Sequence, residues 1–253
     1  LTIYGQTQGT GKVSISYGSS TSGSYDYFAD NITINGGIVE AKGSHEGVAA
    51  RDKLTINGGQ VISANAEIRG KNNVTLGWRN STDYIQAYEI DCDSEVGSIQ
   101  IDSGKVFTDG TSLYDNTTTK GTLDGLHNVT LRPCLVLAAD ASNDAAIASY
   151  IGKTIAVALN GRTLKMDGKW NQLCLPFDVT IAGSPLELPG YNPVIKVFST
   201  TSSLNDAGEL TLKYDDAPAT IPAGTPFIIK WTASTKTIEN PVFVGVTISN
   251  TAA

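Results

Sequence analysis

The chain has 253 residues with 18 basic and 25 acidic side chains, and its net charge of −7 is the wrong sign for tracking a phosphate backbone, which sets nucleic acid aside. Charged residues make up only 17%, while 26 glycines, a single methionine and many Thr, Ser and Asn point to a turn-rich β protein rather than a helical one. Cys92, Cys134 and Cys174 are an odd, widely spaced set without a C-x-x-C, so a disulfide framework and a structural zinc site are excluded, and one bridge such as Cys134 to Cys174 stays open.

The first residues, LTIYGQTQGTG, carry neither a basic n-region nor an apolar h-region, and no apolar run approaches the roughly 20 residues that span a bilayer. No membrane insertion is expected of this segment. Leu1 stands inside a strand-like motif without an initiator Met, which is the expectation for a piece of a longer parent with targeting signals upstream.

An apolar-polar-apolar triplet recurs at Leu1-Thr2-Ile3, Ile32-Thr33-Ile34, Leu54-Thr55-Ile56, Val74-Thr75-Leu76, Ile99-Gln100-Ile101 and Val129-Thr130-Leu131. The intervals are 31, 22, 20, 25 and 30 residues, the spacing of a solenoid with insertions. Three copies continue alike, as ITINGGIVEAKG from Ile32, LTINGGQVISAN from Leu54 and IQIDSGKVFTDG from Ile99. Asn-Gly after alternating apolar residues is also a hairpin signal, but repeated inward residues at coil spacing favour a corner that sends the second strand onto another face. The predicted unit is a right-handed parallel β-helix over residues 1–137.

Asn31, Asn73, Asn80, Asn116 and Asn128 begin N-x-[ST] matches. Three of them stand at one phase, before the triplet, so a corner-stacking Asn followed by a strand Thr is favoured over glycosylation.

Alanine-rich AADASNDAAIASYIG from Ala138 is the one expected helix, a linker over 138–152 ended by Gly152. Beyond it the repeat stops. Lys153 to Val179 read as three short strands joined as neighbouring hairpins at Asn160-Gly161 and Asp167-Gly168, with further strands at 194–198, 209–214, 226–231 and 242–248. Residues 153–253 are therefore expected to form a β-sandwich, with Trp170 and Trp231 in its core.

The stretches NNVTLGWRNSTDYIQA, IDSGKVFTDG, WNQLCLPF from Trp170 and IPAGTPFIIKW resemble a modular family of repeat-rich cell-surface proteins of Gram-negative gut anaerobes. In that family INGG coils of a β-helix precede a sandwich marked by W-N-x-L-C-L-P-F. The resemblance spans essentially the whole chain and implies an all-β protein, secreted and displayed at the cell surface, of an adhesin-like or carbohydrate-binding type. The chain departs from that pattern at SYDYFAD and HEGVAARDK, where relatives carry a Gly-rich loop.

Candidate chemistry is sparse. His45 and His127 are the only histidines, which rules out a His-rich metal site, and no G-x-S-x-G elbow is present. Asp91, Asp93 and Glu95 of DCDSE alternate as hard-cation ligands do, yet they lack the Gly and distant Glu of an EF-hand, so a solvated insertion is preferred and no metal site or cofactor is assigned. Glu46, Arg51 and Asp52, with Arg79 and Asp83, are the groups that a polysaccharide lyase or glycoside hydrolase of the β-helix type would use. No paired acid recurs at one phase, so no catalytic residue is assigned.

Binding needs less chemistry, because sugar faces stack on aromatic rings while amides and charges read hydroxyls. GWRNSTDYIQAY supplies the predicted ligand-binding set Trp78, Arg79, Asp83, Tyr84 and Tyr88, against the competing reading in which Trp78 and Tyr84 cover the end of the core or fill the seam with the sandwich. GSYDYFAD from Gly23 is a second aromatic candidate. The expected function is a non-catalytic surface segment with a glycan or host-surface partner; a lyase or hydrolase and a pure spacer are the alternatives.

Overall fold

A computed structural model describes residues 1–5, 12–15, 27–43, 46–92 and 95–249, which divide into two compact units, Leu1–Cys134 and Leu135–Ala253. The first is a parallel β-solenoid. Its elements are β1 (Thr2–Ile3), β2 (Lys12–Ile15), β3 (Ala29–Ala41), β4 (Glu46–Gly70), β5 (Asn73–Leu76), β6 (Tyr84–Asp91), β7 (Ser98–Ile101), β8 (Phe107–Thr108), β9 (Leu113–Tyr114), α1 (Lys120–Asp124) and β10 (His127–Ala138).

The triplets stack in register. Ile3 pairs beside Ile34, Ile34 beside Ile56, Ile56 beside Leu76 and Leu76 beside Ile101, every step parallel. The middle Thr or Gln of each triplet points outward, and apart from the exposed Leu1 the flanking Ile, Leu and Val are buried, as period-2 alternation requires. A second column stacks Val13, Val39, Val61 and Ile85 in the same parallel manner. The INGG segments therefore turn the chain between these columns, and none of them closes a hairpin.

The sixth triplet behaves differently. Val129-Thr130-Leu131 runs antiparallel along β6, with Val129 opposite Ala87 and Leu131 opposite Ile85, so it is not a sixth parallel coil. Val129 and Leu131 are still buried. Alternation fixes which side chains face inward but not the direction of the strand, so this copy looks like the others in sequence. An additional helix, α1, buries Leu123 and packs on β6 and β7.

In the second unit, α2 (Asp144–Tyr150) lies inside the predicted 138–152 helix, and Gly152 takes a φ of +74° just beyond it. The helix packs Ala146, Ile147 and Tyr150 against the core of this unit. The strands are β11 (Thr154–Asn160), β12 (Thr163–Lys165), β13 (Asn171–Leu173), β14 (Val179–Thr180), β15 (Val194–Phe198), β16 (Ser203–Leu204), β17 (Leu210–Thr211), β18 (Tyr214–Asp216), β19 (Thr220–Ile221), β20 (Phe227–Lys230), β21 (Thr237–Glu239) and β22 (Val242–Thr247).

The expected neighbouring hairpins are absent. β11, β12, β13 and β14 pair antiparallel with β22, β21, β20 and β19 in nested order, so two distant arms of the chain zip together. Gly161 and Gly168 do turn the chain, with φ of +77° and +80°, but each turn leads into a strand whose partner lies far along the sequence. Asn240 receives the Gly161 N–H on its side-chain oxygen at 2.7 Å, tying the two arms at the first bend.

Leu173, Leu175 and Phe177 alternate inward and pack with Phe227, Ile229, Phe243 and Trp231. Trp231 is 2% exposed and donates its indole N–H to the Leu186 carbonyl at 3.0 Å. Trp170, expected in this core, is instead 43% exposed. It precedes β13 on the side of Gln172, opposite to Leu173, so the alternation that buries Leu173 turns Trp170 outward.

Candidate functional site

The Gly-Gly corners place backbone where other β proteins place side chains. A Cβ on Gly59 would lie 2.7 Å from the Gly37 carbonyl oxygen, and one on Gly5 would lie 2.9 Å from the Gly37 nitrogen. Gly59 also has a φ of +99°. Three coils thus approach closely along a flat column of glycine backbone.

After β5 the chain leaves this column through Gly77 and returns at Asp83. The Asp83 carboxylate holds the excursion in shape, accepting the Arg79 N–H at 2.8 Å and the Asn80 N–H at 2.9 Å on one oxygen. That carboxylate sits over Gly58, where a Cβ would come within 2.9 Å of it and within 3.2 Å of Arg79 Cγ. Arg79 reaches back across the corner and donates to the Asn35 backbone carbonyl at 3.3 Å and to its side-chain oxygen at 3.1 Å. Asn57 donates to the same Asn35 oxygen at 2.9 Å, forming an amide ladder between coils.

Between this excursion and Tyr4 lies an open cleft of about 390 Å³, floored by glycine backbone and edged by Tyr4, Gln60, Arg79, Asn80, Thr82 and Asp83. Tyr4 is 72% exposed. Among the described residues one cation and one carboxylate, Arg79 and Asp83, face the cleft, so their formal charges balance. The arrangement offers an aromatic ring, a peptide floor and several amide and hydroxyl groups to one ligand.

The predicted residues do not all meet here. Arg79 and Asp83 line the cleft, and Tyr84 stands beside it as the register partner of Gln60. Trp78 is buried, donates its indole N–H to the Val106 carbonyl at 3.1 Å and has Lys105 Nζ 4.5 Å from its ring centroid, so it secures the segment after β7. Tyr88 is exposed farther along β6, edge-on to His127 at 6.2 Å. Tyr4, Gln60, Thr82 and the glycine floor were missed in the sequence reading. The signal was in the repeat, since Tyr4 occupies the position that Asn35 and Asn57 hold in the next two triplets.

The remaining candidates are occupied elsewhere. Arg51 pairs with Asp30 at 3.7 Å, and Asp52 accepts the Asn72 amide at 2.8 Å, while the Glu46 side chain lies outside the described residues. Asp91 is ion-paired with the buried Arg69 guanidinium, which stands where a cation ligated by Asp91 would lie; Asp93 is outside the described residues. Among the described residues no three His, Cys, Asp or Glu side chains are grouped to hold a metal ion. The aromatic loop from Gly23 lies outside them as far as residue 26, as does His45. Cys134 and Cys174 are not joined in a disulfide.

No family model, curated protein or solved structure matches this chain.

Proposed function

We propose that this chain is a non-catalytic segment of a secreted, cell-surface-displayed protein and that its solenoid binds a neutral glycan in the glycine-floored cleft. The cleft itself carries the reading: an exposed Tyr4 ring faces a charge-balanced polar wall across a floor without side chains. A pyranose can stack its apolar face on Tyr4 while Asn80, Gln60 and Thr82 address its hydroxyls. The INGG and W-N-x-L-C-L-P-F resemblance supports surface display and the reading of the second unit as a β-sandwich module.

Hydrolysis is less well supported. The glycosidase mechanism needs two carboxyl groups about 5–10 Å apart, whereas among the described residues Asp83 is the one carboxylate lining the cleft, and its Oδ2 already holds two backbone N–H groups. The spacer reading draws on Trp78, whose burial gives that residue a packing role.

A neutral-glycan array followed by calorimetry on the best ligand tests the proposal. Tyr4→Ala is expected to weaken binding about tenfold, the effect of losing one stacking ring. No binding across the array, or binding indifferent to both Tyr4→Ala and Asn80→Ala, would leave only the spacer.

A further inference from the structure

The second unit carries a separate exposed face. In the sheet β13-β20-β15-β18, Leu173, Phe227 and Ile229 point into the core, which turns Trp170, Lys230, Ile228, Val194, Phe198 and Tyr214 to the opposite side. Trp170, Val194, Phe198 and Tyr214 are each at least 40% exposed. Lys230 Nζ lies 4.6 Å from the Trp170 ring centroid, and Phe198 meets Tyr214 edge-on at 6.0 Å. From Val194 to Phe198 the face runs about 14 Å along the strand, room for a linear chain rather than a single sugar.

At its Trp170 end the charge runs against that of the molecule, while β15 and β18 carry Lys196 against Asp215 and Asp216. Residues 163–171 and 227–237 hold Lys165, Lys169, Lys230 and Lys236 against Asp167 alone, in a chain whose net charge is −7. Pairing of β12 with β21 and of β13 with β20 brings these segments together around Trp170, where Lys230 holds the indole, while Lys236 Nζ lies over the Tyr191 ring at 4.8 Å. Lys230 forms no ion pair among the described residues, whereas Lys196 on the same face is neutralised by Asp216 at 2.6 Å. An exposed indole beside an unneutralised ammonium matches a ligand that has both an apolar ring face and a negative charge.

We propose that this sheet face is a second binding site, for an acidic polysaccharide whose uronate or sulfate groups meet Lys230 and its neighbouring lysines while a sugar ring stacks on Trp170. The inference extends glycan binding to the second unit and uses no residue of the cleft. A polyanionic protein would satisfy the lysines but would make no particular use of the indole, whereas a single-stranded nucleic acid would stack its bases on it, and the DNA arm of the test separates that ligand from a polysaccharide.

Affinity electrophoresis of the full chain in polygalacturonate and in heparin tests it, with poly-L-glutamate and single-stranded DNA as charge controls. Expected is retardation by the two polysaccharides that falls with salt, is cut about tenfold by Trp170→Ala and about threefold by Lys230→Gln, and survives Lys230→Arg. Trp170 is exposed and Lys230 partly buried, and unchanged thermal unfolding of Lys230→Gln serves as the folding control. Tyr4→Ala with Arg79→Ala should leave the retardation intact even where it abolishes binding of the neutral glycan. The proposal is overturned by no retardation, by equal retention on poly-L-glutamate with Trp170→Ala silent, by retention on DNA equal to or stronger than on the polysaccharides, or by loss confined to the Tyr4 and Arg79 variants.

Discussion

Arg79 clasps Asn35 across 44 residues of sequence, donating to its backbone carbonyl at 3.3 Å and its side-chain oxygen at 3.1 Å. One guanidinium thereby ties the wall of the cleft to a corner that precedes it in the stack. Because these bonds are solvent-exposed, Arg79→Ala is expected to cost only about 0.5–1 kcal/mol in urea unfolding. Arg79→Lys should recover little, since an ammonium cannot reproduce the two-pronged contact. Equal stability of wild type, Arg79→Ala and Arg79→Lys would show that the clasp is not held in solution.

The glycine floor makes a sharper prediction. Gly59→Ala places a methyl 2.7 Å from the Gly37 carbonyl oxygen at a φ of +99°, so both space and conformation oppose it. A loss of about 2 kcal/mol or more is expected. Gly58→Ala meets the Asp83 carboxylate and Arg79 side chain instead, and it should disturb the cleft wall and ligand binding more than the coil stack. Gly121→Ala is the control. It lies in α1 with nothing within 4 Å of its added Cβ, so a gain of about 0.5–1 kcal/mol is expected from helix propensity. Thermal unfolding of the three variants separates these outcomes.

How much of this was legible in sequence differs between the units. The solenoid's inward residues and parallel register were readable at Ile32, Leu54, Val74 and Ile99, because one alternation repeats and each copy has a neighbour to match. Val129 shows the limit, as the same alternation serves an antiparallel strand. The nested pairing of β11 to β14 with β22 to β19 left no local trace, since Asn160-Gly161 and Asp167-Gly168 signal a bend but not the partner that follows it. In the site, Arg79 and Asp83 stood out as charges outside the repeat. Tyr4 was overlooked because its significance is positional, an aromatic ring in a column of asparagines.

Acid should weaken the solenoid unit through Asp109. Burial raises its pKa, but the N–H groups of Ser112 and Thr111 and the hydroxyls of Tyr114 and Thr111 outweigh burial and hold the carboxyl below the ordinary range. A pKa depressed in the folded state gives stability that is present above the unfolded value of about 3.9 and lost as pH falls through the lower folded value. Asp115, held low by the Thr117 hydroxyl and N–H, acts in the same direction. Asp109→Asn should therefore be less stable than wild type at pH 7, with the gap closing toward about pH 2. A gap independent of pH in urea titrations would assign the loss to geometry rather than charge.

Trp78 and Tyr4 should separate stability from binding. Trp78 is 6% exposed and its indole N–H is satisfied by Val106, so Trp78→Ala is expected to cost about 3–5 kcal/mol and Trp78→Phe, which keeps most of the packing, about 1 kcal/mol. Trp78→Phe should bind a cleft ligand within about twofold of wild type, because the indole is not among the residues lining the cleft. Tyr4, 72% exposed, should show the reverse pattern, with unfolding unchanged and affinity lost. Calorimetry and thermal unfolding on the same samples compare the two directly. Should folded Trp78→Phe lose the ligand while Tyr4→Ala retains it, the binding surface would lie on the Lys105 and Val106 side of the excursion, and the glycine-floored cleft would be only a consequence of how the coils stack.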